Sequence, residues 1–141
     1  MVVDVMIKPV VKDVLFLSQK SVKASKTDMQ VVIDLQDTLK ANRDRCVGMA
    51  ANMIGVNKRI IIVNMGMFDM VMINPVLLSK KGAYTTQEGC LSLDGVRNTT
   101  RYEEIELEFY DLNFIKRRQK FTGWIAQICQ HELDHLEGII I

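Results

Sequence analysis

Hydrophobic positions along this chain change period several times, and each change marks an element. Val31, Val32, Leu35 and Leu39 recur at helical spacing behind Thr27-Asp28-Met29-Gln30, which has the form of a capping box. This predicts a helix over about 28–42. Residues 59–63, RIIIV, are a β-branched run and read as a buried strand. Residues 71–78 read as a second strand, with Asn74-Pro75 marking an edge or a bulge. Residues 103–110, EEIELEFY, alternate: Ile105, Leu107 and Phe109 on one face, Glu104, Glu106 and Glu108 on the other. That is a half-solvated antiparallel strand. Asp111-Leu112-Asn113 reads as a turn, and 114–121 as the returning strand.

The final segment, TGWIAQICQHELDHLEG, carries helical periodicity again. Thr122 suits its start and Gly138 a left-handed cap at its end. Trp124, Ile128, His131 and His135 fall on one face, flanked by Ile125, Cys129, Glu132 and Leu136. Gln127, Gln130, Asp134 and Glu137 form the expected wet face. The predicted architecture is an α+β fold, with antiparallel β-sheets packed around a central C-terminal helix that carries H-E-x-x-H, plus an N-terminal helix. With no repeat, low-complexity tract or linker, one domain over 1–141 is expected.

Composition changes this picture little. Of 141 residues, 48% are hydrophobic and 25% charged, and the formal net charge is +1. No basic surplus drives binding to a phosphate backbone, so direct nucleic-acid binding is not expected. Asp4, Lys8, Lys12 and Asp13 interrupt the apolar N-terminus well short of the roughly 20 residues that a membrane-spanning helix needs. No signal-peptide cleavage pattern follows, and a cytoplasmic protein with no membrane partner is expected. The three cysteines, Cys46, Cys90 and Cys129, are too few and too scattered for a disulfide framework.

The chain holds only two histidines, His131 and His135, four residues apart with Glu132 between them. Residues at i and i+4 share one side of a helix, so both rings can reach one ion, and the intervening glutamate sits beside it. A single buried histidine is usually a hydrogen-bonded core residue. Two on an apolar face, with a glutamate whose burial is costly unless compensated, point to a metal. A catalytic site needs a third protein ligand. Cys129 lies about 200° round the helix from His131 and reads as core packing. Cys46 reads as a small buried hydrophobe. Cys90, in the irregular glycine-flanked stretch QEGCLSLDG, suits a ligand presented from a loop.

EGCLS (88–92) followed by QHELDH (130–135) resembles the paired motifs of the peptide deformylases, and GMAANMIG (48–55) resembles that family's first motif, G-Φ-A-A-x-Q-Φ-G with Φ apolar. The resemblance runs over nearly the whole chain. It implies that Cys90, His131 and His135 bind a metal, Fe²⁺ in the cell, with Zn²⁺ or Ni²⁺ able to substitute. It implies that Glu132 is the general acid/base and that the Leu91 backbone N–H serves the oxyanion. Gly48, Ala50, Ala51 and Gly89 would shape the substrate cleft, and Arg101 would lie near the peptide groove, against the alternative of a surface charge at a strand end. The implied substrates are N-formylmethionyl peptides or nascent chains, with the ribosome nearby.

Two departures stand out. Met53 occupies the place of the motif's glutamine, whose amide helps hold the oxyanion, and methionine has no N–H to donate. The resemblance therefore implies a short, divergent member with reduced activity, unless another donor serves. Asn52 is the nearest amide and is expected to point away. The chain also ends just past the histidine helix, where many members continue, which implies a difference in the groove or in stability. Competing readings are an H-E-x-x-H metallopeptidase, which would not need Cys90, a metal- or formyl-peptide-binding relative without turnover, and a purely structural zinc site, which leaves Glu132 without a role.

Overall fold

The computed structural model describes residues 8–90 and 93–139. In chain order it has a short helix α1 (Val14–Leu17), helix α2 (Met29–Ala41), strand β1 (Gly48–Ala50), strands β2 (Ile60–Asn64), β3 (Asp69–Cys90), β4 (Leu93–Tyr110) and β5 (Lys116–Thr122), and helix α3 (Gly123–Leu136). The five strands form one antiparallel sheet in sequential order β1-β2-β3-β4-β5. This is the expected α+β arrangement.

Strand β2 shows why the sheet lies at the centre. Ile60 and Ile62 pack with Val32, Leu35 and Leu39 of α2. Their neighbours Ile61 and Val63 pack on the opposite face with Ala126, Ile128 and Cys129 of α3. Successive strand residues face opposite ways, so an unbroken apolar run is what a strand covered on both sides requires. Strand β4 keeps the predicted alternation, with Ile105, Leu107 and Phe109 buried and the three glutamates half-buried. Helix α3 packs against β1, β2, β4 and β5, which places its histidine face inside the molecule.

Three local differences from the sequence expectations have physical causes. Helix α2 is entered through a 3-10 turn, Lys26–Asp28, and Ser25 rather than Thr27 closes it: Asp28 Oδ2 accepts the Ser25 N–H at 2.8 Å. The Asn74-Pro75 irregularity is a bulge, with a register shift between Ile73 and Val76 and Asn74 at φ 52°. There the Asn74 amide accepts from the Ala24 N–H and donates to its carbonyl, at 2.8 and 3.0 Å. Third, β3 runs on from residue 78 to Cys90 and pairs with the first half of β4 as a long two-stranded arm. Much of its β3 segment, SKKGAYTTQ, is exposed on both faces, so it leaves no period-2 hydrophobic pattern.

Candidate metal centre

Two elements build the site. Helix α3 supplies His131, Glu132 and His135, which are 8%, 4% and 2% exposed. The end of β3 supplies Glu88 and Cys90. Cys90 therefore comes from a strand end, not the irregular loop expected from its glycines. Residues two apart in a strand share a face, so Glu88 and Cys90 both turn toward α3.

The geometry is tight. The two Nε2 atoms of His131 and His135 lie 3.1 Å apart, and Cys90 Sγ lies 3.4 Å from His135 Nε2. One donor atom from each of the three residues falls within 4.8 Å of the others. Donors bound to one tetrahedral ion at about 2.0–2.3 Å are separated by roughly 3.3–3.8 Å. The set thus fits a single divalent transition metal, with one thiolate and two imidazoles as ligands. The surroundings agree. Glu132 Oε1 is fully buried without a hydrogen-bond partner. A Cβ added at Gly48 would stand 3.0 Å from Glu132 Oε2 and 2.7 Å from Ile128 Cγ2, so only glycine leaves that space open.

A second layer orients the ligands. Glu88 Oε1 lies 2.7 Å from His131 Nδ1, which assigns that nitrogen the proton and turns Nε2 toward Cys90 and His135. Arg101, only 3% exposed, grips Glu88 with Nε at 2.9 Å and Nη2 at 2.6 Å, and donates through Nη1 to Asp134 at 2.7 Å. Gln127 donates to Glu88 Oε2 at 3.0 Å.

The electrostatics follow from these contacts. Burial opposes the charge on Glu88, yet hydrogen bonds from His131, Arg101 and Gln127 hold its carboxyl at about 2. Burial also opposes the charge on His131, but its partners Cys90 and Glu88 push it up to about 10. Burial and the adjacent His131 drive His135 down to about 3. Without metal, His131 carries the proton and His135 offers a free lone pair. Burial likewise pushes Glu132 up to about 7 in the metal-free protein.

A cleft of about 510 Å³ opens from this centre. Gly48, Met53, Gly89 and Cys90 line it together with His131 and Glu132. Ala50 and Ala51 do not, being fully buried in the two cores. Arg101 is no surface charge and does not itself line the cleft; it lies behind the lining residue Glu88, where two carboxylates draw it into the interior. Leu91 lies outside the described residues. Asn52 does turn away from the cleft, donating to the His135 carbonyl at 2.8 Å, while Met53 Sδ accepts the Ala50 N–H at 3.4 Å. Cys129 is core packing as expected. Cys46 is only half-buried; it lines the cleft and donates to the Gly48 carbonyl at 2.8 Å.

The wet face predicted for α3 holds at Glu137, which is exposed, but the β3–β4 arm covers the rest: Gln127 and Asp134 are half-buried and Gln130 is buried. Gln130 is 7% exposed and makes both hydrogen bonds to the Tyr102 backbone, at 2.8 Å each, where β5 no longer pairs with β4. Trp124, expected inward, is 61% exposed because the first turn of α3 borders the cleft. Glu88, Gln127 and Asp134 are functional-site residues that the sequence reading missed. Once β3 is known to continue, Glu88 becomes readable two places before Cys90.

Residues 5–141 match the family model described as polypeptide deformylase. The chain belongs to the polypeptide deformylase family. A peptide deformylase of Clostridium beijerinckii is 60% identical over 136 residues, covering 96% of this chain and all of the relative. The actinonin-bound class I type b peptide deformylase of Acinetobacter baumannii superposes with a TM-score of 0.86 at 29% identity, covering 96% of this chain and 95% of that one. The Met-Ala-Ser-bound form of the A. baumannii enzyme gives 0.87 at 27% identity, with 97% of both chains covered. The fold is thus that of the deformylases, and the cleft found here belongs to a deformylase-family chain.

Proposed function

We infer that this protein is a metal-dependent amide hydrolase that removes the N-formyl group from the N-terminal methionine of newly made polypeptides. The carrying observation is the convergence of Cys90, His131 and His135 within 4.8 Å, with the buried, unpartnered Glu132 oxygen beside them. Family membership sets aside the metallopeptidase, which has no use for Cys90. It also leaves the non-hydrolytic relative without a favouring observation beyond Met53.

Cys90, His131 and His135 would hold the ion. A thiolate with two imidazoles suits Fe²⁺, and Zn²⁺ or Ni²⁺ would also be accepted. When bound, the metal supplies Lewis-acid polarisation of the formyl carbonyl and acidifies water. Glu132 takes the proton of the attacking water and hands it to the departing amine as the amide bond breaks. Gly48 keeps the approach to Glu132 open. Glu88 and Arg101 act through His131 by fixing its ring. The Leu91 N–H would serve the developing oxyanion. Met53 withholds a donor there, and loss of one such donor costs on the order of 10²–10³ in rate. Its substrates would reach it in the cytoplasm, near the ribosome that makes them.

The test is formate release from a formyl-Met tripeptide by protein loaded anaerobically with Fe²⁺. Release of formate, abolished by Glu132→Ala with metal content unchanged, is the expected result. Cleavage of an internal peptide bond, or binding without product, would overturn the reading.

A further inference from the structure

The cleft wall facing solvent includes Arg45 and Trp124, which the hydrolytic chemistry does not use. Arg45 is exposed, yet its guanidinium is not free to wander. Nη2 donates to Asn42 Oδ1 at 2.6 Å, and Asn42 is itself buried, its amide donating to the Thr38 carbonyl at 2.8 Å in the last turn of α2. The cation is therefore anchored to a helix end. No carboxylate among the described residues lies within ion-pair distance of it. The other charges on the described lining are accounted for inside: Glu88 by Arg101 and His131, and Glu132 by its burial beside the ligands. Among the described residues the mouth thus presents one held positive charge, Arg45, without an ion-pair partner.

Its position limits what it can meet. Gly48 marks the inner end of the wall, against Glu132. Arg45 lies three residues earlier, and three residues span at most about 10 Å. An extended peptide whose formyl group sits at the centre covers that distance with its first two residues after methionine.

Resting on the deformylase reading of this cleft, we propose that Arg45 selects substrates bearing a carboxylate within two residues after the formyl-methionine. A formylated peptide has no N-terminal positive charge to compete, so the residues downstream of methionine set the preference. A carboxylate could come from an Asp or Glu side chain or from the free C-terminus of a short peptide. On a nascent chain only the side chain is available. Trp124 adds a flat apolar surface to the same cleft, and as the single tryptophan of the chain it reports on occupancy of the mouth.

The experiment titrates tryptophan fluorescence of the metal-loaded protein with C-terminally amidated formyl-Met-Ala-Glu, formyl-Met-Ala-Gln and formyl-Met-Ala-Lys, and with formyl-Met-Ala-Gln as the free acid. Formate release is followed separately on the same peptides. The Glu amide should bind about fivefold more tightly than the Lys amide, a size typical of a solvent-accessible ion pair. The free acid should fall with the Glu amide if the charge alone is read. The Glu-to-Lys ratio should close to about one in Arg45→Gln, invert in Arg45→Glu, and shrink at high salt. Equal affinities in the unmodified protein, or a ratio unaltered by Arg45→Glu, would overturn the proposal. Charge-dependent binding without formate would sustain the Arg45 assignment and sink the hydrolase reading. Formate without charge discrimination would do the reverse.

Discussion

At the scale of single residues, Met53 carries the sharpest consequence. It lines the cleft at the place where the family motif has glutamine, and its thioether is occupied by the Ala50 N–H. Asn52 cannot substitute, because its amide is committed to the His135 carbonyl on the far side. Gln has nearly the volume of Met, so Met53→Gln should fit the buried site and restore a donor. Turnover on formyl-Met-Ala-Ser should rise about tenfold, a fraction of what such a donor is worth elsewhere, with little change in KM. Unchanged or lower kcat would show that oxyanion stabilisation here does not depend on that side chain. This consequence was legible in the sequence, because it depends on residue type within a motif. The neighbouring roles of Glu88 and Asp134 were not, because each is defined by a contact across the fold.

At the scale of elements, α3 and the β3–β4 arm form one working unit. Arg101 on β4 joins Glu88 on β3 to Asp134 on α3, and Glu88 in turn fixes His131. Arg101→Leu would leave the buried Glu88 and the half-buried Asp134 without their shared cation. Breaking such a buried set typically costs about 3–5 kcal/mol. A merely structural loss would lower the melting temperature alone. A positioning role predicts in addition a metal dissociation constant weakened about 10–100-fold, measured by chelator competition at a temperature where the variant is folded. Arg101→Lys, which restores charge but not the bidentate fork, should recover stability more fully than metal affinity. The sequence identified α3 as a helix and its apolar stripe correctly from Ile128 onward. It misjudged part of the opposite face, because amphipathic periodicity records an average hydrophobicity and cannot register that Gln130 is buried against a strand backbone that needs its amide, or that half-buried Gln127 donates to Glu88.

At the scale of the whole molecule, the buried charges make stability depend on acid. The Glu88 carboxyl is held at about 2 in the folded protein, against a reference of 4.5. A group whose folded value is depressed contributes stability above its unfolded value and loses it as pH falls through the folded one. Glu88 is 8% exposed, so its contribution, about 3 kcal/mol, is little screened by solvent. Metal-free protein should therefore lose stability steadily between pH 4.5 and 2 in urea titrations. Glu88→Gln should flatten that decline while lowering stability at pH 7. An unchanged acid slope in the variant would remove Glu88 from the account.

What the sequence determined by itself was whatever local periodicity and residue chemistry encode. It specified the α2 and α3 helices, the two-sided apolar strand β2, the alternation of β4, and a pair of histidines that a helix must bring to one side. It also contained the cysteine and the motifs that set the chain among the deformylases. Tertiary structure decided the rest. It carried β3 on to Cys90, placed Glu88 behind His131, drew Arg101 inward between two carboxylates, and left Arg45 and Trp124 at the mouth of the cleft. The reason is physical: periodicity is imprinted by burial within one element, whereas an ion pair or a cleft wall exists only where residues far apart in the chain meet, and no local pattern records that meeting.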